Sequence, residues 1–326
     1  MRTLRRPRSR RLRIVLAAVG GVVVLAVLAV GAFALTVGHA YDSRRHVVDA
    51  FPAAKDRPAK AAGKAAQAVN VLLLGTDVDE ADPESPQFVG KREADTVMLL
   101  HVPADRSKVY AVSILRNSLV DVPGHGRQAV NSAYAFGGVK LTVQTVEQLL
   151  DVRVDHVVDV SLTGLKGLTD ALGGVEVRTP TAFSNDGVDF PAGTRTLNGT
   201  EALAYLRAGD FRATGDRARA TAQEQYFRGV LRQVLSAKLL LDPAALAASV
   251  NVFSPYLTTD RQLDSSAIVG LGVGMRNLRS SDLVTLRLAS RGVSTVDGAT
   301  VVDLDPDRVT ALSSALRRDD LASLAG

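Results

Sequence analysis

Cysteine is absent from all 326 residues. That excludes disulfides, thiolate nucleophiles and zinc–thiolate centres, and it leaves the compartment open. The compact catalytic signatures are missing too. No G-x-G-x-x-G leads from a strand into a helix, and there is no P-loop, no H-E-x-x-H and no G-x-S-x-G. The five histidines, at 39, 46, 101, 125 and 156, are scattered. His101 and His156 stand inside apparent strands, where packing or an edge role is expected instead of ligation, and His125 reads as a loop residue between two glycines. No internal repeat occurs.

Acidic residues are lacking from the first thirteen positions, MRTLRRPRSRRLR, which hold seven arginines. Charge of either sign is lacking from Ile14 to Val37, a run of 24 residues. As a helix this run reaches about 36 Å, enough to cross a hydrocarbon core of about 30 Å. Gly38-His39-Ala40 is a poor cleavage site, so an uncleaved anchor is preferred to a signal peptide. The flanking arginines place residues 1–13 in the cytoplasm and everything after Val37 outside, in a single-pass membrane protein. The chain carries 39 basic and 34 acidic residues, a net +5, and without the seven head arginines the balance falls to about −2. The basic character belongs to the membrane flank, so no nucleic-acid partner is expected.

Residues 38–68 have no sustained apolar period and read as an extracytoplasmic linker. From 69 to 326 short apolar runs alternate with amphipathic stretches. VNVLLLG ends at Gly75; TVMLLHV (96–102) and VYAVSIL (109–115) are separated by so short a polar link that a hairpin is expected. LTVQTVEQLL and TGLKGLTDALGG read as helices, the second closed by Gly173-Gly174 in C-cap position. HVVDVSL, VEVRT, LVTLRLA and TVVDLD read as strands, and a last helix begins at Pro306. The expected fold is α/β, a mixed central sheet with helices on both faces, preceded by one transmembrane helix. Its core spans 69–241, with a helix and strand extension over 242–326.

Chemistry concentrates in EALAYLRAGDFRATGDRARATAQEQ (201–225), a helix ending near Arg207, a loop, and a second helix starting close to Asp216. Arg207, Arg212, Arg217, Arg219 and Arg228 suit a phosphate ligand at a helix start; a solvated face with local ion pairs is the plain alternative. The second helix presents Phe227, Val230, Leu231 and Val234 on an apolar face, either packed on the sheet or part of a lipid-binding wall. Asp77, Asp95 and Arg116 lie at strand ends, where open α/β sheets bind ligands. Asp77 and Asp95 come from neighbouring strand ends and suit a hard cation such as Mg²⁺, or else cap a turn and a strand entry.

NVLLLGTD, the ADT before MLLHVPAD, SILRNS, VNSAYAFGG, QTVEQLL, LTDALGGVEV, LNG, EALAYLR and GDRARATAQ follow one another in an order that resembles the LytR–CpsA–Psr family of cell-envelope proteins. The resemblance covers roughly Val69 to Leu235. It implies an α/β/α sandwich whose apolar cleft holds a polyprenyl chain, for which the face of Phe227, Val230, Leu231 and Val234 is the expected wall. It implies transfer of a phospho-glycopolymer from a polyprenyl-pyrophosphate carrier to peptidoglycan, with Mg²⁺ as cofactor. Asp77 and Asp95 fall on the family's metal-binding or catalytic acids. Arg116 falls on a catalytic and pyrophosphate-binding arginine, and Arg207, Arg219 and Gln223 on further pyrophosphate ligands.

Departures from the family pattern accompany the matches. Glu93-Ala94-Asp95-Thr96 stands where the family usually has R-S-D-T, Asn117 replaces an aspartate, and Gly209 and Ala222 replace arginines. Arg212 is the loop residue best placed to compensate, and restoring Gly209→Arg and Ala222→Arg is expected to tighten binding. Two functions therefore remain, an active glycopolymer phosphotransferase and a weakened relative that binds lipid-linked or wall polymer without transferring it.

Overall fold

The apolar runs VNVLLLG, TVMLLHV, VYAVSIL and HVVDVSL pair with one another at the centre of a seven-stranded sheet. The computed structural model of the protein describes residues 33–76, 93–207, 215–234, 243–296 and 298–324. The basic head, most of the expected anchor, Asp77, Arg92, Gly209 and Arg212 lie outside the described residues, as do the side chains of Arg217, Arg219, Leu231 and Val234. Among the described residues no helix is long and apolar enough to cross a membrane.

The helical elements are residues 33–44 (α1), Ser132–Leu150 (α2), Leu162–Ala171 (α3), Gly199–Arg207 (α4), Gly215–Val234 (α5), Pro243–Phe253 (α6), Ser265–Gly274 (α7) and Pro306–Arg318 (α8). The strands are β1 (His46–Val48), β2 (Val69–Thr76), β3 (Ala94–Val102), β4 (Val109–Ile114), β5 (Leu119–Val122), β6 (Gly126–Ala129), β7 (His156–Ser161), β8 (Val175–Thr179), β9 (Phe183–Asn185), β10 (Val188–Phe190), β11 (Gly193–Leu197), β12 (Leu257–Asp260), β13 (Leu283–Arg287), β14 (Ser290–Val296) and β15 (Ala299–Leu304). The large sheet runs β1-β12-β7-β2-β3-β4-β13. β2 is parallel to β7 and antiparallel to β3, and β3–β4 is the expected hairpin. The remaining strands form two-stranded ribbons at the margins.

Alternation along the central strands gives the sheet two unlike faces. Leu72, Leu74, Val97, Leu99 and Val112 point to one side, where Val143, Val146 and Leu150 of α2 and Leu312 and Leu316 of α8 bury them almost completely. Leu73, Leu100 and Val158 point to the other side, towards α3, α5 and α6, and stay only half-buried although they belong to the three central strands. On that face Met98, Ala111 and Val160 are buried, while the described residues of the helix layer cover Leu73, Leu100 and Val158 only in part.

The segment expected as a linker, 38–68, contributes to the domain. Tyr41 is buried and its hydroxyl donates to the Leu263 carbonyl at 2.9 Å, and β1 adds a parallel edge strand to β12. Arg57 reaches across to Glu147 of α2, donating from Nε to Oε1 and Oε2 at 3.0 and 3.1 Å and from Nη2 to the Val154 carbonyl at 2.5 Å. Glu147 is fully buried and also accepts the Val154 N–H at 2.8 Å. At the other terminus Asp305 caps α8, with Pro306 at its first turn as expected. Asp319, in the left-handed region at φ 56°, closes α8. Its carboxylate meets His101 Nε2 at 2.9 Å and accepts the Ala104 N–H at 3.1 Å. His101, whose Nδ1 lies 2.8 Å from Asn70 Oδ1, is the buried packing residue that its strand position predicts. Gly173 and Gly174 take φ values of 75° and 104° after α3, the C-cap read from the sequence.

Candidate functional site

The site is built on one edge of the large sheet. β2 and β7 are parallel, so Thr76 and Ser161 end side by side, and antiparallel β3 starts beside them at Ala94. β4 ends at Ile114 next to Val97, which brings Arg116 to the same edge. Asp77 follows Thr76 directly in the chain and its own position lies outside the described residues.

Asp95 is placed by an irregularity in the ladder. Gly75 pairs with Thr96 and Thr76 pairs with Ala94, so Asp95 is the extra residue of a bulge. Bulges re-aim a side chain and end pairing, which is why they gather beside active sites. Gly75 permits it, since a Cβ there would come within 3.0 Å of Thr96 Cβ. Arg116 Nη1 donates to Asp95 Oδ1 at 2.6 Å, and both side chains keep a partial opening to solvent, 29% and 20%. The backbone around Arg116 is fixed. Ser118 N–H bonds the Leu115 carbonyl, the Arg116 carbonyl accepts Asn131 N–H at 3.0 Å, and the Asn117 carbonyl accepts Val302 N–H at 2.9 Å.

Helix directions bring the arginine-rich stretch to the same edge. Ser161 caps α3, its hydroxyl accepting from Gly164 N–H at 3.1 Å, so α3 starts at this edge and runs away from it. Gly199 at the start of α4 lies against Lys166 and Asp170 near the far end of α3, so α4 returns and ends at Arg207 on the site side. In α5, Tyr226 meets Leu165 and Thr169 while Gln233 meets the Leu172 carbonyl. α5 therefore runs with α3, and its first turns, which carry Arg219 and Gln223, begin at the edge. Arg207 and Gln223 are half-buried. The structure thus brings Asp95 and Arg116 into contact and places the ends of α4 and α5 beside them.

Arg228 does something else. It donates to Thr285 Oγ1 at 3.2 Å and lies 3.6 Å from Glu224, which also accepts from Thr285 at 2.5 Å and pairs with Arg287 at 3.8 Å. This network ties α5 to β13, so for Arg228 the local ion-pair reading holds. Phe227 and Val230 part company too. Phe227 packs with Met98, Ala111 and Leu283 on the incompletely covered face, whereas Val230 packs with the cluster of Leu168, Val175 and Tyr226.

The substituted positions have particular environments. Glu93 is exposed and accepts from Asn131 Nδ2 at 2.7 Å, at the start of α2. Asn117 Nδ2 lies 3.5 Å from the Thr300 carbonyl. Ala222 is only 5% exposed and packs among Leu206, Tyr226 and their neighbours. An arginine there would have to bury its guanidinium in apolar packing, so the restoration Ala222→Arg expected from the family pattern does not fit this chain.

Tyr134 and Asp159 form a buried pair that no motif marks in the sequence. Tyr134 Oη donates to Asp159 Oδ2 at 2.7 Å, both buried, on the α2 side of β7. An acid inside the apolar run HVVDVSL was the available sign, because a buried carboxylate requires a partner. Tyr226, bonded to Thr169 at 2.7 Å, is pushed up to about 12 by burial and stays a neutral donor.

A carboxylate on a bulge, a partly open guanidinium and the N-terminal end of α5 are groups of the kind that meet a phosphate-bearing ligand and a hard cation. Among the described residues there is no group of three or more metal-ligating side chains. Asp95 supplies one carboxylate of the oxygen type that hard cations take, 20% exposed and bonded to Arg116.

The chain is similar to proteins already known. The polyisoprenyl-teichoic acid–peptidoglycan teichoic acid transferase TagU of Enterococcus faecalis is 34% identical over 203 residues, 62% of this chain and 64% of that protein, so the match spans slightly less than two thirds of its length. The protein of the same name from Bacillus subtilis is 33% identical over 235 residues, 72% of this chain and 73% of that one. A solved structure, TagT bound to LIIa-WTA, superposes with a TM-score of 0.62 at 25% identity, covering 81% of this chain and 96% of that one. The model of the LytR_cpsA_psr family matches residues 39–318, and with that match over most of its length the chain belongs to the LytR_cpsA_psr family.

Proposed function

We propose that this protein transfers a glycopolymer from a polyprenyl-pyrophosphate carrier to peptidoglycan, as a membrane-anchored phosphotransferase with its main domain outside the cell. The observation that carries the proposal is the contact of Asp95 with Arg116 on a bulged strand end, at the end of the sheet towards which α4 runs and from which α5 starts, over an apolar sheet face on which Leu73, Leu100 and Val158 are only partly buried. The names of the two TagU relatives, which specify polyisoprenyl-linked teichoic acid and peptidoglycan, agree with it.

In this reading the apolar carrier chain lies along Leu73, Leu100, Val158 and Phe227, and the pyrophosphate faces Arg116, Arg207, Arg219 and Gln223. Arg116 offers a planar fork of donors to a non-bridging oxygen. A hydroxyl of the acceptor sugar attacks the glycan-side phosphorus. The P–O bond to the carrier-side phosphate breaks, polyprenyl phosphate leaves with the bonding electron pair, and the hydroxyl proton passes to a carboxylate, for which Asp95 is the described candidate. Asp77 and Asp95 would hold Mg²⁺, which supplies neutralisation of pyrophosphate charge.

Glu93 and the buried Ala222 favour a second reading, since both remove positive charge relative to the family pattern. In that reading the cleft binds lipid-linked or wall polymer and does not turn it over. Full-length protein reconstituted with polyprenyl pyrophosphate and Mg²⁺ separates the two. Release of polyprenyl phosphate that disappears in Asp95→Asn supports the transferase; binding without release supports the second reading; neither binding nor release removes both.

A further inference from the structure

α7, Ser265–Gly274, breaks the rule for a helix on the surface of a water-soluble domain. None of its ten residues is charged and none is buried. Ile268, Val269 and Val273 are 41%, 59% and 56% exposed, with Gly272 exposed on the same side. A surface helix normally turns its apolar residues to the core and polar ones to water. Among the described residues nothing covers this apolar face.

The location of α7 identifies what covers it. Its first residue is fastened to α1, with Asp42 accepting from Ser265 N–H at 3.0 Å and from Ser265 Oγ at 2.5 Å. The Ser265 side chain also packs on Gly38, where a Cβ would come within 3.1 Å of Ser265 Oγ. One turn earlier on the same face of α1 stands Leu35, 76% exposed. Gly38 is the residue immediately after the uncharged run Ile14–Val37. If that run crosses a bilayer, Gly38 lies at the membrane–water boundary, and Ser265, in contact with it, lies there as well. Arg261, Arg276 and Arg279 flank α7 and are exposed, as interfacial helices require for anionic headgroups. The nearby acids are engaged: Asp264 caps α7 through Ala267 N–H, and Asp42 holds Ser265.

We infer that α7 is a membrane-docking helix whose Ile268–Val273 face lies in the surface of a phospholipid bilayer, beside the exit of the anchor. The inference rests on the anchor reading above. Met275 and Leu278, just after α7, pack against the cluster of Met98, Val102, Val109, Ala111 and Leu283 that Leu73, Leu100 and Phe227 also border. Docking therefore sets the far end of the incompletely covered sheet face against the lipid, which gives a carrier chain a path from bilayer to cleft without crossing water.

Tryptophan is absent from the chain, so a single introduced one reports its own depth. Full-length variants Val269→Trp and Val273→Trp, at exposed positions, are reconstituted into vesicles of phosphatidylcholine and phosphatidylglycerol with or without brominated acyl chains. Docking predicts that both lose most of their emission in brominated vesicles and are blue-shifted in unbrominated ones. Val293→Trp, on the β14–β15 ribbon at the other end of the sheet, keeps its emission. Leu28→Trp, inside the uncharged run, tests the anchor. If Leu28→Trp is quenched while Val269→Trp and Val273→Trp are not, the anchor stands and the docking helix is refuted. If Leu28→Trp is also unquenched, the anchor reading fails and the docking inference falls with it. Thermal unfolding at the unsubstituted protein's temperature shows that each variant is folded.

Discussion

Asp95 and Arg116 meet at 2.6 Å although 21 positions separate them, because one is the extra residue of a bulge at the start of β3 and the other stands in the turn after β4. The pair supplies opposite charges at the one edge where strand ends and helix ends coincide. A ligand bringing phosphate and a divalent cation would find a partner for each.

Separating the two roles is the first prediction. Arg116→Ala removes a charge-assisted fork and should weaken polyprenyl-pyrophosphate binding by about 1.5–3 kcal/mol, roughly 10- to 150-fold. Asp95→Asn should lower turnover by about 10²–10⁴ and weaken binding less than Arg116→Ala does. Isothermal titration and a phosphate-release assay read these independently. A loss of binding in Asp95→Asn as large as that in Arg116→Ala would contradict the assignment.

Leu73→Trp fills space on the half-covered face without touching the charged edge. It should reduce binding of a long-chain polyprenyl pyrophosphate strongly and that of a short-chain one little. Equal losses with both would show that the carrier chain does not run along Leu73.

Arg57→Ala leaves the carboxylate of Glu147 buried without its cation, which is expected to cost about 3–5 kcal/mol. The double variant Arg57→Met, Glu147→Leu should lose less than the single one, since no charge is left behind. Urea unfolding curves give both values, and a single variant within 1 kcal/mol (about the spread of an ordinary surface change) would refute the role of residues 38–68 as part of the domain.

His101 carries a pH dependence of definite sign. Burial lowers its pKa below the ordinary value near 6.5, against the opposing pull of Asp319 and Asp155 and with a small push from Arg106. The unfolded chain therefore takes up this proton first as pH falls. Stability from neutral His101 is complete above about 6.5 and is lost as pH drops below it. The melting temperature should decline over that window, and His101→Gln should flatten the decline. A C2-proton titration placing the His101 pKa at or above 6.5 (about the unfolded value) would overturn the prediction.

Ala222→Arg should destabilise the fold by about 1–3 kcal/mol from overpacking, before any charge burial is counted. Tighter ligand binding with an unchanged melting temperature would show that the cluster around Leu206 and Tyr226 opens to admit the side chain.

Much of this was legible in the sequence because it depends on local pattern. Short continuous apolar runs mark β2, β3, β4 and β7, and α2, α3, α4, α5 and α8 fall close to their expected spans. Polar or short strands were not legible. β12 is Leu-Thr-Thr-Asp and β1 is His-Val-Val in a charged stretch, and both exist only because they find partners far away in the chain. Asp95 and Arg116 could be named from their strand ends. The pairings of Glu93 with Asn131 and Tyr134 with Asp159 could not, since each depends on where α2 docks. Arg228 looked like its arginine neighbours, and only the proximity of β13 reveals its attachment to Glu224 and Thr285.

The most direct test follows a labelled glycopolymer from polyprenyl pyrophosphate to peptidoglycan, using the full-length chain in vesicles with Mg²⁺ and parallel Asp95→Asn, Arg116→Ala and Arg228→Ala variants. The account predicts label on peptidoglycan with the unsubstituted protein and with Arg228→Ala, little with Arg116→Ala, and almost none with Asp95→Asn. Label transferred equally by Asp95→Asn, or none transferred by the unsubstituted protein under conditions in which it binds the carrier, would contradict it.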